Sequence, residues 1–113
     1  MTARSGNIFA QMPTAATDEV FEDLTRTEGA RFERIVSTGQ ATPEGEWYDQ
    51  AWDEFVILLA GEAGLTFADT GETHRLTPGD WHWIPAHCRH RVGWTSHDPP
   101  AVWLAVHLGS AAG

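Results

Sequence analysis

The residues best suited to chemistry fall in two short stretches. The first, Trp47 to Glu54, holds Tyr48, Asp49, Gln50, Asp53 and Glu54; the second, His87-Cys88-Arg89-His90, holds two imidazoles and the single thiol. Tyr48 and Gln50 are two apart, so they share one face of an extended segment. Glu54 opens the apolar run Phe55 to Ala60. A carboxyl buried in apolar surroundings has its pKa raised, which suits Glu54 to general acid or base work with His90 as partner, as in isomerases and epimerases. The plainer alternative is a structural glutamate. Cys88 lies between His87 and His90, yet cysteine catalysis also needs an orienting third group and an oxyanion hole, and nothing here marks either. We read it as an inert structural cysteine.

Other side chains carry two readings each. His107 alternates with Trp103 and Ala105 on one face of the last apolar segment; it is either a ligand or base facing a pocket or a packing histidine with its hydrogen bonds satisfied. His87 is either an imidazole swung inward or a surface turn residue. His82 alternates with Trp81 and Trp83 and is expected to meet solvent or a partner, while His74 and His97 sit beside turns. The six tryptophans supply core volume, and any that reach a cavity would suit a planar, sugar-like or aromatic ligand. Exposed ones would suit an interface.

Composition excludes several classes. The chain has 113 residues, room for one domain, and a formal charge of −9 from sixteen acids against seven arginines. Phosphate-backbone binding needs a basic stripe, and the pairs Arg31/Arg34 and Arg89/Arg91 are too scattered to make one, so no nucleic-acid partner is expected. There is no lysine, hence no lysine Schiff base and no P-loop. No apolar run approaches a membrane span, and residues 1–13 read as neither a secretory nor a transit peptide. One cysteine permits no intrachain disulfide, which agrees with a cytoplasmic location.

The elements that must position these groups are mostly strands. Residues 1–29 read as an arm followed by a short helix: Asp18 as cap, Glu19 in the first turn, and Val20, Phe21 and Leu24 as one apolar stripe. Ile8, Phe9 and Met12 of the arm pack on the barrel or on a second subunit. From residue 30 to 110 the pattern is strand and turn: 32–37, 47–50, 54–60, 65–68, 73–76, 81–84, 90–95 and 101–108, divided by Gly, Pro and Asp at close spacing. Such spacing predicts an all-β sandwich or barrel. Apolar residues on both faces of 55–60 and 102–108 predict central strands covered on both sides.

Two segments resemble the paired motifs of the cupin superfamily. The first motif ends in a glutamate, six residues and a glycine, matched by Glu54, Phe55 to Ala60 and Gly61. The second runs glycine, five residues, proline, one residue, glycine, two residues, histidine, matched by Gly79, Pro85 and His90 with His87 in place of the second glycine; Trp94 stands where asparagine is common. The resemblance covers roughly residues 30 to 108. It implies a double-stranded β-helix (cupin, or jelly-roll) barrel enclosing a small-molecule pocket. It departs upstream of Glu54: with three intervening residues, Tyr48 and Gln50 occupy the places of the motif's two histidines; with four, Trp47 and Asp49 would.

On the first arrangement the resemblance implies that Tyr48, Gln50, Glu54 and His90 face one cavity. Gln50, Glu54 and His90 would be the ligands of a divalent metal ion (Fe, Mn, Ni or Zn), with Glu54 and Tyr48 as the catalytic groups, Tyr48 orienting or protonating the substrate, in an oxygenase- or isomerase-type enzyme. The alternative is a metal-free, non-catalytic binding or sensor module. The expected partners are a small molecule and, from the family's habit and the apolar arm, a second copy in a homodimer.

Overall fold

The computed structural model describes residues 2–14 and 16–109, and among these there is no α-helix. Eight strands form: β1 (Val20–Thr27), β2 (Ala30–Ser37), β3 (Asp53–Ala60), β4 (Ala63–Phe67), β5 (Thr73–Leu76), β6 (Trp81–Ile84), β7 (His90–Thr95) and β8 (Ala101–Leu108). A five-stranded sheet in the order β1-β2-β8-β3-β6 faces a three-stranded sheet in the order β5-β4-β7, all neighbours antiparallel. This is the expected jelly-roll barrel. β8 and β3, whose sequences are apolar on both faces, are interior strands of the larger sheet.

Period-two alternation builds the interior. On β3, Glu54, Val56 and Leu58 turn inward; on β8, Trp103, Ala105 and His107 do. The buried cluster joins Val56, Leu58, Leu65, Leu76, Ile84, Ala101 and Trp103. Segment 47–50, expected as a strand, contributes one bridge: Tyr48 N–H donates to His90 O (2.8 Å) and His90 N–H to Tyr48 O (3.2 Å).

The expected helix at Asp18–Leu24 is not formed. Val20–Thr27 is instead an edge strand, pairing with β2 from Val20↔Val36 to Thr27↔Ala30, with an irregularity between Asp23 and Thr25. An isolated helix of two turns is marginal in water, whereas β2 offers a complete row of backbone partners to a segment containing Val20, Phe21, Thr25 and Thr27. The sheet therefore begins before residue 30. The preceding arm lies on the same chain: the buried Arg34 guanidinium donates to the carbonyls of Ile8 (3.0 Å) and Ala10 (2.6 Å) and pairs with Glu22 (2.8 Å).

Gly61, the motif glycine, has φ +74° and ends β3; a Cβ there would press into the Pro100 carbonyl and come within 2.7 Å of Ser96 Oγ. Backbone cannot retreat as a flexible side chain can. Gly61→Ala is therefore expected to cost about 2 kcal/mol or more, read as a lowered denaturation midpoint; a loss under about 0.5 kcal/mol would contradict the crowding.

Candidate functional site

A cavity of about 80 Å³ opens between the sheets, small against the roughly 300–1,000 Å³ usual for ligand sites. Its polar groups are Glu19, Glu33, Tyr48, Gln50, Glu54, His90 and His107, and its apolar walls include Ile35, Val56, Leu65 and Trp103. The four residues singled out by motif position, Tyr48, Gln50, Glu54 and His90, thus share one cavity.

Each is placed by its element. Glu54 starts the inward face of β3, opposite His107 of β8 and Ile84 of β6. His90 starts β7, and its ring stacks on Tyr48 (centroids 5.5 Å, planes 27° apart). His90 Nδ1 lies 2.8 Å from the Cys88 carbonyl oxygen; a carbonyl only accepts, so Nδ1 carries the proton and, in the neutral ring, Nε2 presents a lone pair. That Nε2 is 3.8 Å from Glu54 Oε1, too far for a hydrogen bond. Glu54 is 6% and His90 5% exposed, and Glu54 Oε1 has no hydrogen-bond partner. Burial pushes the Glu54 carboxyl above its usual range, against the pull of the nearby imidazoles and the Gln50 amide. Burial also raises the Tyr48 phenol, which keeps its proton and so remains a donor.

His107 is the packing histidine of the two readings. Trp52 Nε1–H donates to its Nδ1 (2.9 Å), so Nε2 holds the proton and donates to Glu33 Oε1 (3.1 Å). Both nitrogens are occupied, and Arg31 balances the other Glu33 oxygen (2.9 Å). His87 lies at the surface, paired with Asp49 (2.8 Å) at φ +62°, the left-handed conformation that explains why glycine suits this motif position. His82 departs from expectation: with Trp81 and Trp83 outward it turns inward, half-buried against Phe67 and His74. Cys88 has its thiol pushed up by burial and then by Asp69, the reverse of an activated thiolate.

Glu19 went unrecognised as a cavity residue. Read as first-turn helix, it instead enters the cavity rim just before β1, where the Ser37 hydroxyl donates to it and burial raises its pKa. Only the pairing of β1 with β2 puts it there.

The donor set fits a metal ion in part. Glu54 Oε1 and His90 Nε2 have free lone pairs at a separation that one ion, bonded at about 2.0–2.2 Å, could span. The third donor is the Gln50 amide, which leans on the Glu54 carboxyl. Among the described residues no three His, Cys, Asp or Glu side chains cluster as a metal site.

This barrel and the two motifs find their match in known proteins. The Cupin domain family model matches residues 34–107, and the chain belongs to the cupin family. Among solved structures, a Ralstonia eutropha JMP134 protein provisionally assigned as a mannose-6-phosphate isomerase is 47% identical, with a TM-score of 0.90, covering 95% of this chain and 99% of its own. The polyketide cyclase RemF of Streptomyces resistomycificus (20% identity, TM-score 0.75, 96% of this chain and 80% of its own) shares the fold. So does an RmlC-like cupin of Methanocaldococcus jannaschii with a double-stranded β-helix (20%, 0.68, 89% and 89%). No curated protein matches the chain.

Proposed function

We propose that this cupin binds a compact metabolite in its barrel and moves a proton on it, in an isomerase-type reaction. The observation that carries this is the pairing of a desolvated, unpartnered Glu54 Oε1 with a His90 Nε2 lone pair 3.8 Å away. His90 would accept the proton, Glu54 would balance the imidazolium, and the Tyr48 phenol would donate toward a developing oxyanion. The isomerase assignment of the 47% identical relative supports the reaction type. Solvent-deuterium uptake into a panel of mannose 6-phosphate, free hexoses, keto acids and small amino ketones is the test. Uptake into one member, lost in His90→Gln, is the expected result; no uptake anywhere would reject it.

A divalent ion on Gln50, Glu54 and His90 is the second reading, favoured by the same two free lone pairs. Such an ion would polarise a substrate oxygen as a Lewis acid. Elemental analysis of untagged protein checks it: less than about 0.1 ion per chain after loading with iron, manganese, nickel or zinc would eliminate it. A homodimer is proposed on the apolar outer edge of the larger sheet, where Trp81 (58% exposed) and Trp83 (50%) stand out. A monomer mass in sedimentation at micromolar concentration would refute it.

A further inference from the structure

The cavity joins an apolar wall to a concentration of acceptors. Glu54 and His90 offer acceptor atoms that cannot bond each other at 3.8 Å, yet one donor group between them could reach both. Around them stand two more carboxyls, Glu19 and Glu33. Among the described residues no arginine lines the cavity, and the chain has no lysine. The guanidiniums of the neighbouring strands are engaged: Arg34 holds the arm and Glu22, Arg31 pairs with Asp23 and Glu33, and Arg91 donates to the Thr42 carbonyl (2.8 Å). A phosphate or carboxylate would enter an acidic cavity with no cation to meet it. A polyol would set some of its hydroxyls against Ile35, Val56, Leu65, Ile84, Val92 and Trp103 without partners.

We infer that the cavity selects a small amine, with its ammonium on Glu54 Oε1 beside the His90 Nε2 lone pair and its hydrocarbon part on the apolar wall. The ammonium supplies the donor that the buried, unpartnered Glu54 oxygen lacks, and a charged group so placed is desolvated against an opposite charge. Tyr48 and Trp103 also line the cavity, and aromatic rings suit a cation as well as a hydrocarbon. The inference rests on the barrel cavity being the binding site, as proposed above, and narrows what it takes.

Three probes with one carbon skeleton test it: isopentylamine, isopentyl alcohol and isovalerate, titrated at neutral pH while NMR follows the Trp103 indole and Gln50 side-chain amide. The amine should bind at least about tenfold tighter than the alcohol, and isovalerate should leave both signals unmoved. Glu54→Gln should reduce the amine to the alcohol's affinity while alcohol binding persists, which shows the cavity intact. An alcohol that binds as well as the amine, or a preference that survives Glu54→Gln, would overturn the amine assignment while leaving the cavity as a binding site. Signals unmoved by all three probes would reject both the cavity as binding site and the inference built on it.

Discussion

Replacing Glu54 with glutamine is expected to lower the proposed proton transfer by about a hundredfold or more and, at the same time, to make the free protein more stable at neutral pH. The two effects share one cause. Glu54 is buried with an oxygen lacking any donor, so the folded state bears the desolvation of a carboxylate without recovering it in hydrogen bonds. The glutamine amide keeps the shape, removes the charge, and gives His90 Nε2 a donor. A gain of about 1–2 kcal/mol follows from the usual cost of an unsatisfied buried group.

The pH dependence has a definite sign. Glu54 and Glu19 both titrate above their unfolded value of 4.5, so between that value and their raised folded values the native state holds more protons than the unfolded one. Their contribution to stability is complete below pH 4.5 and declines as pH rises through the folded values. Denaturant unfolding across that window should show the decline in the wild type and a shallower one in Glu54→Gln. A variant less stable than wild type at neutral pH would mean that Glu54 is satisfied and structural.

The second large effect lies on the neighbouring strand, at the cross-strand partner of Glu54. His107→Leu should destabilise the fold by about 3 kcal/mol or more, because it strands two groups at once. Trp52 Nε1–H loses its acceptor, and Glu33 Oε1 loses its donor on a buried strand. The loss is one of pairing rather than volume, so it should be smaller in a Trp52→Phe background, where the indole donor is already gone. A double-mutant cycle in chemical denaturation measures this; a coupling energy near zero would contradict the Trp52–His107–Glu33 chain.

The sequence made the barrel and the Glu54–His90 axis legible because both rest on local rules. Gly61 marks a positive-φ turn, and Pro85 interrupts the chain between β6 and β7. Alternation along β3 and β8 then fixes which side chains face inward, and motif spacing brings Tyr48, Gln50, Glu54 and His90 to one cavity. What was not legible depends on contacts distant in sequence. The stripe of Val20, Phe21 and Leu24 suits a helix as readily as a strand, and only the open edge of β2 decides; Glu19 reaches the cavity by that decision. The choice between the two readings of His107 likewise rests on Trp52, 55 positions away, and Glu33, 74 away. His82 was misplaced for a simpler reason: on a strand whose tryptophans face outward, the residue between them must face in.

The most direct test of the account is NMR titration of the Glu54 side-chain carboxyl, with the His90 ring nitrogens observed in the same samples. The account predicts a Glu54 midpoint above 4.5, moving higher in His90→Gln, and a His90 ring with a proton on Nδ1. A Glu54 midpoint at or below 4.5, with a proton on His90 Nε2 as well as on Nδ1, would show a closed ion pair in place of a site open to a ligand.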